Sequence, residues 1–162
     1  MFESTIMSKV LEIEYELEDI ETVAKRILDY ASSKTILFYG EMGTGKTTLI
    51  KSLVKLIGSN DDVSSPTFSI VNDYKLKGNS IYHFDLYRIN DDEEALNFGF
   101  EDYLSTSNWV FIEWPQTILN LLPEDTNTIE ISHNNNNSRF LKLSQNHITN
   151  QEKTKKAVKT EK

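Results

Sequence analysis

The residues with the plainest chemical spacing are Gly40-Glu41-Met42-Gly43-Thr44-Gly45-Lys46-Thr47, which read G-x-x-x-x-G-K-T. A glycine-rich turn of this spacing lets backbone N–H groups surround a phosphate at the positive end of a helix. Lys46 would then reach the β- and γ-phosphates, and the Thr47 hydroxyl would bind magnesium. Two acidic residues end apolar runs further along: Asp85 after Ile81-Tyr82-His83-Phe84, and Glu113 after Val110-Phe111-Ile112. Hydrolysis of a bound triphosphate needs a held metal and a placed water. Either carboxylate would suit the metal, leaving the other to orient or deprotonate the water. The residues alone leave that choice open. Thr67, after Pro66, lies in a segment that reads either as a structural Ser-Pro turn or as a switch-like loop offering a hydroxyl to the γ-phosphate or the metal. His83, Trp109 and Trp114 read as packed or hydrogen-bonded residues rather than catalytic or stacking ones.

These side chains need particular elements to hold them. Thr35-Ile36-Leu37-Phe38-Tyr39 is an apolar run ending at the first glycine, which predicts a buried strand. Leu49, Ile50, Leu53, Val54 and Ile57 recur at helical spacing after the lysine, with Gly58 as the stop. Upstream, Leu11, Ile13 and Tyr15 alternate with glutamates, predicting a first strand over 8–15, and a helix is expected over 18–31. Downstream, Phe68 to Leu76 and Ser80 to Phe84 are expected to form a hairpin about Lys77-Gly78-Asn79. An acidic helix start at Asp91–Glu94, an interruption at Gly99, a buried strand at 109–112 and a short helix at 118–122 follow. Strands at 128–132 and 139–143 flank an asparagine run. The sum is an α/β fold of three layers, a P-loop NTPase fold with a mixed, partly antiparallel sheet. Its ligand site would lie at the C-terminal ends of the strands.

Composition narrows the function classes. The chain of 162 residues has no cysteine, which excludes disulfides, zinc–thiolate sites and a thiol nucleophile. No run approaches the roughly 20 apolar residues of a membrane span, and the N-terminus has no secretory core, so a cytoplasmic protein is expected. We expect one domain over 1–144 and a disordered, lysine-rich tail over 145–162. That tail carries five lysines against two glutamates, a charge of +3, which leaves −11 on the body of a chain with net charge −8. So acidic a body is ill-suited to gripping DNA or RNA unaided.

GEMGTGKTTL, SPTF, HFDLYR, EEALNFGFEDYL and FIEWP, in that order, resemble the TsaE (YjeE) family over residues 8–143. The resemblance implies a small bacterial ATPase needed for threonylcarbamoyladenosine modification beside the tRNA anticodon. It implies as partner the TsaB–TsaD heterodimer, which carries the transferase site, with tRNA met only through that complex. ATP and Mg2+ are the implied cofactors. By the same resemblance Gly43, Thr44, Gly45, Lys46, Thr47 and Thr48 bind ATP, while Thr47 and Glu113 ligate magnesium. Asp85 serves the hydrolytic water or the metal shell, Thr67 sits in the switch-like segment, and Arg139 contacts the nucleotide. Relatives often carry threonine where this chain has Ile20, so no adenine contact is carried over there. The lysine tail falls outside the family pattern.

Other readings are kept beside this one. A small-molecule kinase uses the same loop, but the chain has only three arginines, Arg26, Arg88 and Arg139, too few for an arginine-rich lid over a second phosphate. A GTPase would need an N-K-x-D motif after the loop, and none is present. A binding module that nucleotide merely switches would keep phosphate binding without turnover.

Overall fold

Along Val10–Tyr15 (β1), Ile13 and Tyr15 are buried and Glu12 and Glu14 exposed, the alternation of a strand with one covered face. This computed structural model describes residues 10–66, 68–135 and 137–145. The expected tail beyond 145, the start of the expected first strand and Thr67 lie outside the described residues. A short 3-10 turn leads into helix α1 (Ile20–Tyr30), which buries Val23, Ala24 and Ile27 on one stripe. Strand β2 (Thr35–Tyr39) is buried over its first four residues, as a strand covered on both faces must be. After the glycine loop comes α2 (Lys46–Ile57), then β3 (Val71–Lys75) and β4 (Ser80–Asp85). Helices α3 (Asp92–Asn97) and α4 (Phe100–Leu104) follow, capped by the Asp91 side chain and broken at a left-handed Gly99. Strand β5 (Trp109–Glu113), a 3-10 segment (Pro115–Leu121), β6 (Asn127–His133) and β7 (Arg139–Ser144) complete the described chain.

The seven strands form one sheet in the order β1-β7-β6-β2-β5-β4-β3. Its centre, β6-β2-β5-β4, is parallel, and β7, β1 and β3 add antiparallel edges. Alternate residues of β2 feed two cores. Ile36 and Phe38 pack with α1 and α2, whereas Leu37 packs with Ala95, Phe100, Ile118 and Leu119 on the opposite face. The expected three-layer α/β architecture with a mixed sheet is therefore found.

One expectation fails locally. The strand read as beginning at Phe68 begins at Val71, because Ile70 takes a left-handed φ of 70° and its N–H turns back to the Pro66 carbonyl at 2.8 Å. Phe68 is 86% exposed, with the Arg88 guanidinium 4.8 Å over its ring. Phe68 and Ile70 have the apolar character of a strand, but here they lie in a turn that precedes it.

Candidate functional site

Three neighbouring strand ends build the site. The glycine loop leaves β2, Glu113 ends β5 beside it, and Asp85 ends β4 one strand further, directly opposite Glu113 in the register. Sheet twist and parallel pairing thus bring the loop and both acids to one edge of the sheet. Gly45 takes φ 102° immediately before α2, a left-handed turn that glycine adopts without strain and that leads the loop straight into the helix N-terminus.

Lys46 is 5% exposed, and its ammonium donates to the carbonyls of Gly40 and, at 3.0 Å, Glu41. Burial pushes its pKa below the ordinary lysine value, opposed by the nearby charges of Glu113 and Asp85. Trp114 explains part of that burial. Its backbone is left-handed, with φ 57° and ψ 58°, and this turn straight after Glu113 sets the indole 4.4 Å from the Lys46 ammonium. A left-handed bulky residue costs roughly 1–2 kcal/mol, which the cation–π contact offsets in part. Tyr87 packs edge-on against the same indole, with ring centroids 4.9 Å apart.

The Thr47 hydroxyl donates to both oxygens of Glu113, at 3.2 and 3.1 Å. Glu113 is 3% exposed, and its Oε2 also meets His83 Nε2 at 2.6 Å. Asp85 is held at both oxygens: Oδ1 accepts the Tyr87 N–H at 3.0 Å and Oδ2 the Ser65 hydroxyl at 3.2 Å. Lys46, Thr47, Thr48, Asp85, Glu113 and Trp114 line a cleft of about 400 Å³. A second hollow of about 230 Å³ shares Gly43, Gly45 and Thr48 with it and is walled by Tyr15, Leu17, Ile20 and Arg139. Arg139 Nε donates to the Thr44 carbonyl at 3.0 Å, tying β7 to the loop. Burial raises the Tyr15 hydroxyl's pKa, opposed by the Arg139 charge, so the group facing this hollow stays neutral.

A family model for the threonylcarbamoyl adenosine biosynthesis protein TsaE matches residues 15–141. The chain belongs to the TsaE family. It is 38% identical over 112 residues to the tRNA threonylcarbamoyladenosine biosynthesis protein TsaE of Haemophilus influenzae, covering 68% of this chain and 71% of that protein. With the TsaE of Bacillus subtilis it shares 31% over 123 residues, covering 75% and 77%. The crystal structure of Bacillus subtilis YdiB superposes with a TM-score of 0.71 at 21% identity, over 98% of this chain and 100% of that one, a likeness of fold. The expected P-loop NTPase fold stands on this match and on the strand–loop–helix geometry.

Within this TsaE chain the fit to a nucleotide and its metal can be tested on the donor set. A side chain at Gly45 would project into open space with nothing within 4 Å, so the loop offers a cradle beside a helix N-terminus and a buried ammonium. That set suits phosphate. A hydroxyl and a carboxylate, Thr47 and Glu113, supply oxygen only, the donor type magnesium takes. Among the described residues no group of three or more His, Cys, Asp or Glu could hold a metal by itself. A magnesium ion sharing one or two protein ligands with phosphates needs no such cage.

The structure brings together Gly43, Thr44, Gly45, Lys46, Thr47, Thr48, Asp85 and Glu113, with Arg139 behind the loop; Thr67 lies outside the described residues. Sequence reasoning gave Trp114 a packing role, and its contact with Lys46 was not foreseen. The adjacency of Trp114 to Glu113 was the available signal. His83, read as packed or hydrogen-bonded, is both, and its partner is the site's own carboxylate.

Proposed function

We propose that this protein is a magnesium-dependent ATPase that acts with the TsaB–TsaD heterodimer in making threonylcarbamoyladenosine on tRNA, its hydrolysis supporting turnover of that complex. The carrying observation is the convergence of Lys46, Thr47, Glu113 and Asp85 on one cleft from three adjacent strand ends. In this reading the amides of Gly43 to Thr48 and the Lys46 ammonium bind the phosphates, while Thr47 and Glu113 hold magnesium. The metal, when bound, neutralises charge developing on the transferred phosphoryl group. Asp85, fixed by Ser65 and the Tyr87 N–H, orients or deprotonates the attacking water. Thr67, two residues after Ser65 in the sequence, is assigned by the family resemblance to a switch-like segment that offers its hydroxyl to the γ-phosphate or the metal. Tyr15, Leu17, Ile20 and Arg139 wall the hollow assigned to the nucleoside.

The role assigns the protein to the cytoplasm; among the described residues no helix is long and apolar enough to cross a membrane. The acidic body accords with tRNA being held by the partner rather than by this chain. Reconstitution tests the proposal: ATP turnover should be slow for the isolated protein and rise with TsaB–TsaD. Full multi-turnover tRNA modification in its absence would refute the role.

A further inference from the structure

Behind the metal-facing acid runs a buried hydrogen-bond chain that the chemistry above leaves without a task. His83 is fully buried, at 0% exposure, and Tyr74 is 3% exposed. An ionised Glu113 can only accept, so His83 Nε2 carries the proton of the 2.6 Å contact with Glu113 Oε2. The other ring nitrogen, Nδ1, meets the Tyr74 hydroxyl at 2.9 Å. That hydroxyl also lies 3.2 Å from the Ser64 carbonyl. Asn72 donates to both, at 3.0 Å to the Ser64 carbonyl and 3.3 Å to the Tyr74 oxygen, so the carbonyl is served whichever way the tyrosine proton turns. Ser65, next in the chain, donates to Asp85. The path therefore starts at one carboxylate of the site and ends at the other.

We propose that His83 and Tyr74 are positioning residues: they fix the Glu113 carboxylate for magnesium and pin the Ser64–Ser65 backbone, so that metal binding and the placement of Asp85 are set together. The inference rests on Glu113 being a magnesium ligand. An apolar residue at 83 would pack well between β3 and β5 without burying a ring that needs two partners. A buried imidazole instead ties back Oε2, the oxygen it shares with the Thr47 hydroxyl at 3.1 Å, while Oε1 meets that hydroxyl at 3.2 Å, so the turn of the carboxylate is fixed. Outer partners of this kind are typically worth about 10- to 100-fold in metal affinity. Tyr74 adds the second half: with its proton on His83 Nδ1, its oxygen accepts from Asn72, whose amide also holds the carbonyl of Ser64 on the loop after α2.

The test is calorimetric binding of a non-hydrolysable ATP analogue, titrated over magnesium concentration and repeated in chelator, with steady-state turnover alongside. For His83→Leu the magnesium needed for half-maximal gain in affinity should rise about 10- to 100-fold, with affinity in chelator unchanged. His83→Gln, whose amide can still donate to Glu113, should recover most of the shift. Tyr74→Phe should lower kcat while leaving KM and the chelator affinity in place. A folded His83→Leu protein with the parent's magnesium midpoint overturns the proposal, as does His83→Gln failing as badly as His83→Leu. Should His83→Leu not fold, parent-like kcat in Tyr74→Phe and a parent-like midpoint in His83→Ala overturn it equally. A parent protein whose nucleotide affinity ignores magnesium would overturn the metal reading beneath, an outcome visible before any variant is made.

Discussion

Gly40 opens the loop where two parts of the fold pass closest together. A Cβ built there would stand 2.7 Å from Thr44 Oγ1 and 2.8 Å from the Ile131 carbonyl oxygen. Both are inside any real carbon contact, and the second is backbone of β6 at a residue held in register with Leu141 of β7, so it has little room to swing away. Gly40→Ala must therefore push the loop from the sheet. Thr44 can rotate only by giving up its 2.9 Å bond to the Glu41 carbonyl. Overpacking of this kind costs about 1–3 kcal/mol, and the lost hydrogen bond adds about 1 kcal/mol. At about 2–4 °C per kcal/mol for a chain of this size, the melting temperature should fall by on the order of 10 °C. Gly45→Ala is the control: nothing lies within 4 Å of its Cβ, so only the left-handed backbone is penalised, at about 1–2 kcal/mol. Thermal denaturation of the two variants, and of Gly40→Ala combined with Thr44→Ala, reads the difference. Gly40→Ala should be the less stable single variant, and the double variant should recover part of the loss. Equal melting temperatures for the two alanines, or no recovery, would refute the close-approach argument.

Nucleotide affinity should fall with rising pH below the ordinary lysine value of 10.5, because burial depresses the pKa of Lys46 and phosphate pairs only with its ammonium. Lys46→Arg should flatten that decline in a pH-dependent binding titration. For stability the sign is opposite: the buried charge is a cost below the depressed pKa, relieved as pH rises through it. Asp85→Asn should retain nucleotide binding and lose about 10²- to 10⁴-fold in kcat, as measured by phosphate release; unaltered turnover would remove Asp85 from the water's path. Asp91→Ala removes the side chain that accepts the Glu94 N–H at 3.0 Å and should lower stability by about 1 kcal/mol in denaturant unfolding without altering ATP binding.

Much of the site was legible because its parts are local. The strand, glycine turn and helix around Lys46 are contiguous, and their periodicity names them without any partner. Asp85 and Glu113 were found because each ends an apolar run, and parallel sheets gather such ends on one edge. The carboxylates' different surroundings were not legible. Glu113 touches Thr47 only because β5, 66 residues away in sequence, inserts between β2 and β4. The misplaced strand start at Phe68 has a related cause, since a left-handed Ile70 leaves no trace in hydrophobic pattern.

The sequence by itself determined a glycine-rich turn of P-loop spacing, the α/β alternation that carries it, and the family, because each is written in contiguous residues or their order. Tertiary structure alone decided which acid meets the Thr47 hydroxyl, that Trp114 covers the lysine, and that His83 and Tyr74 stand behind Glu113. Arg139 reaching the Thr44 carbonyl across 95 residues belongs with these. Such contacts depend on strand order and register, which are set by the competition of all long-range pairings at once rather than by any one segment.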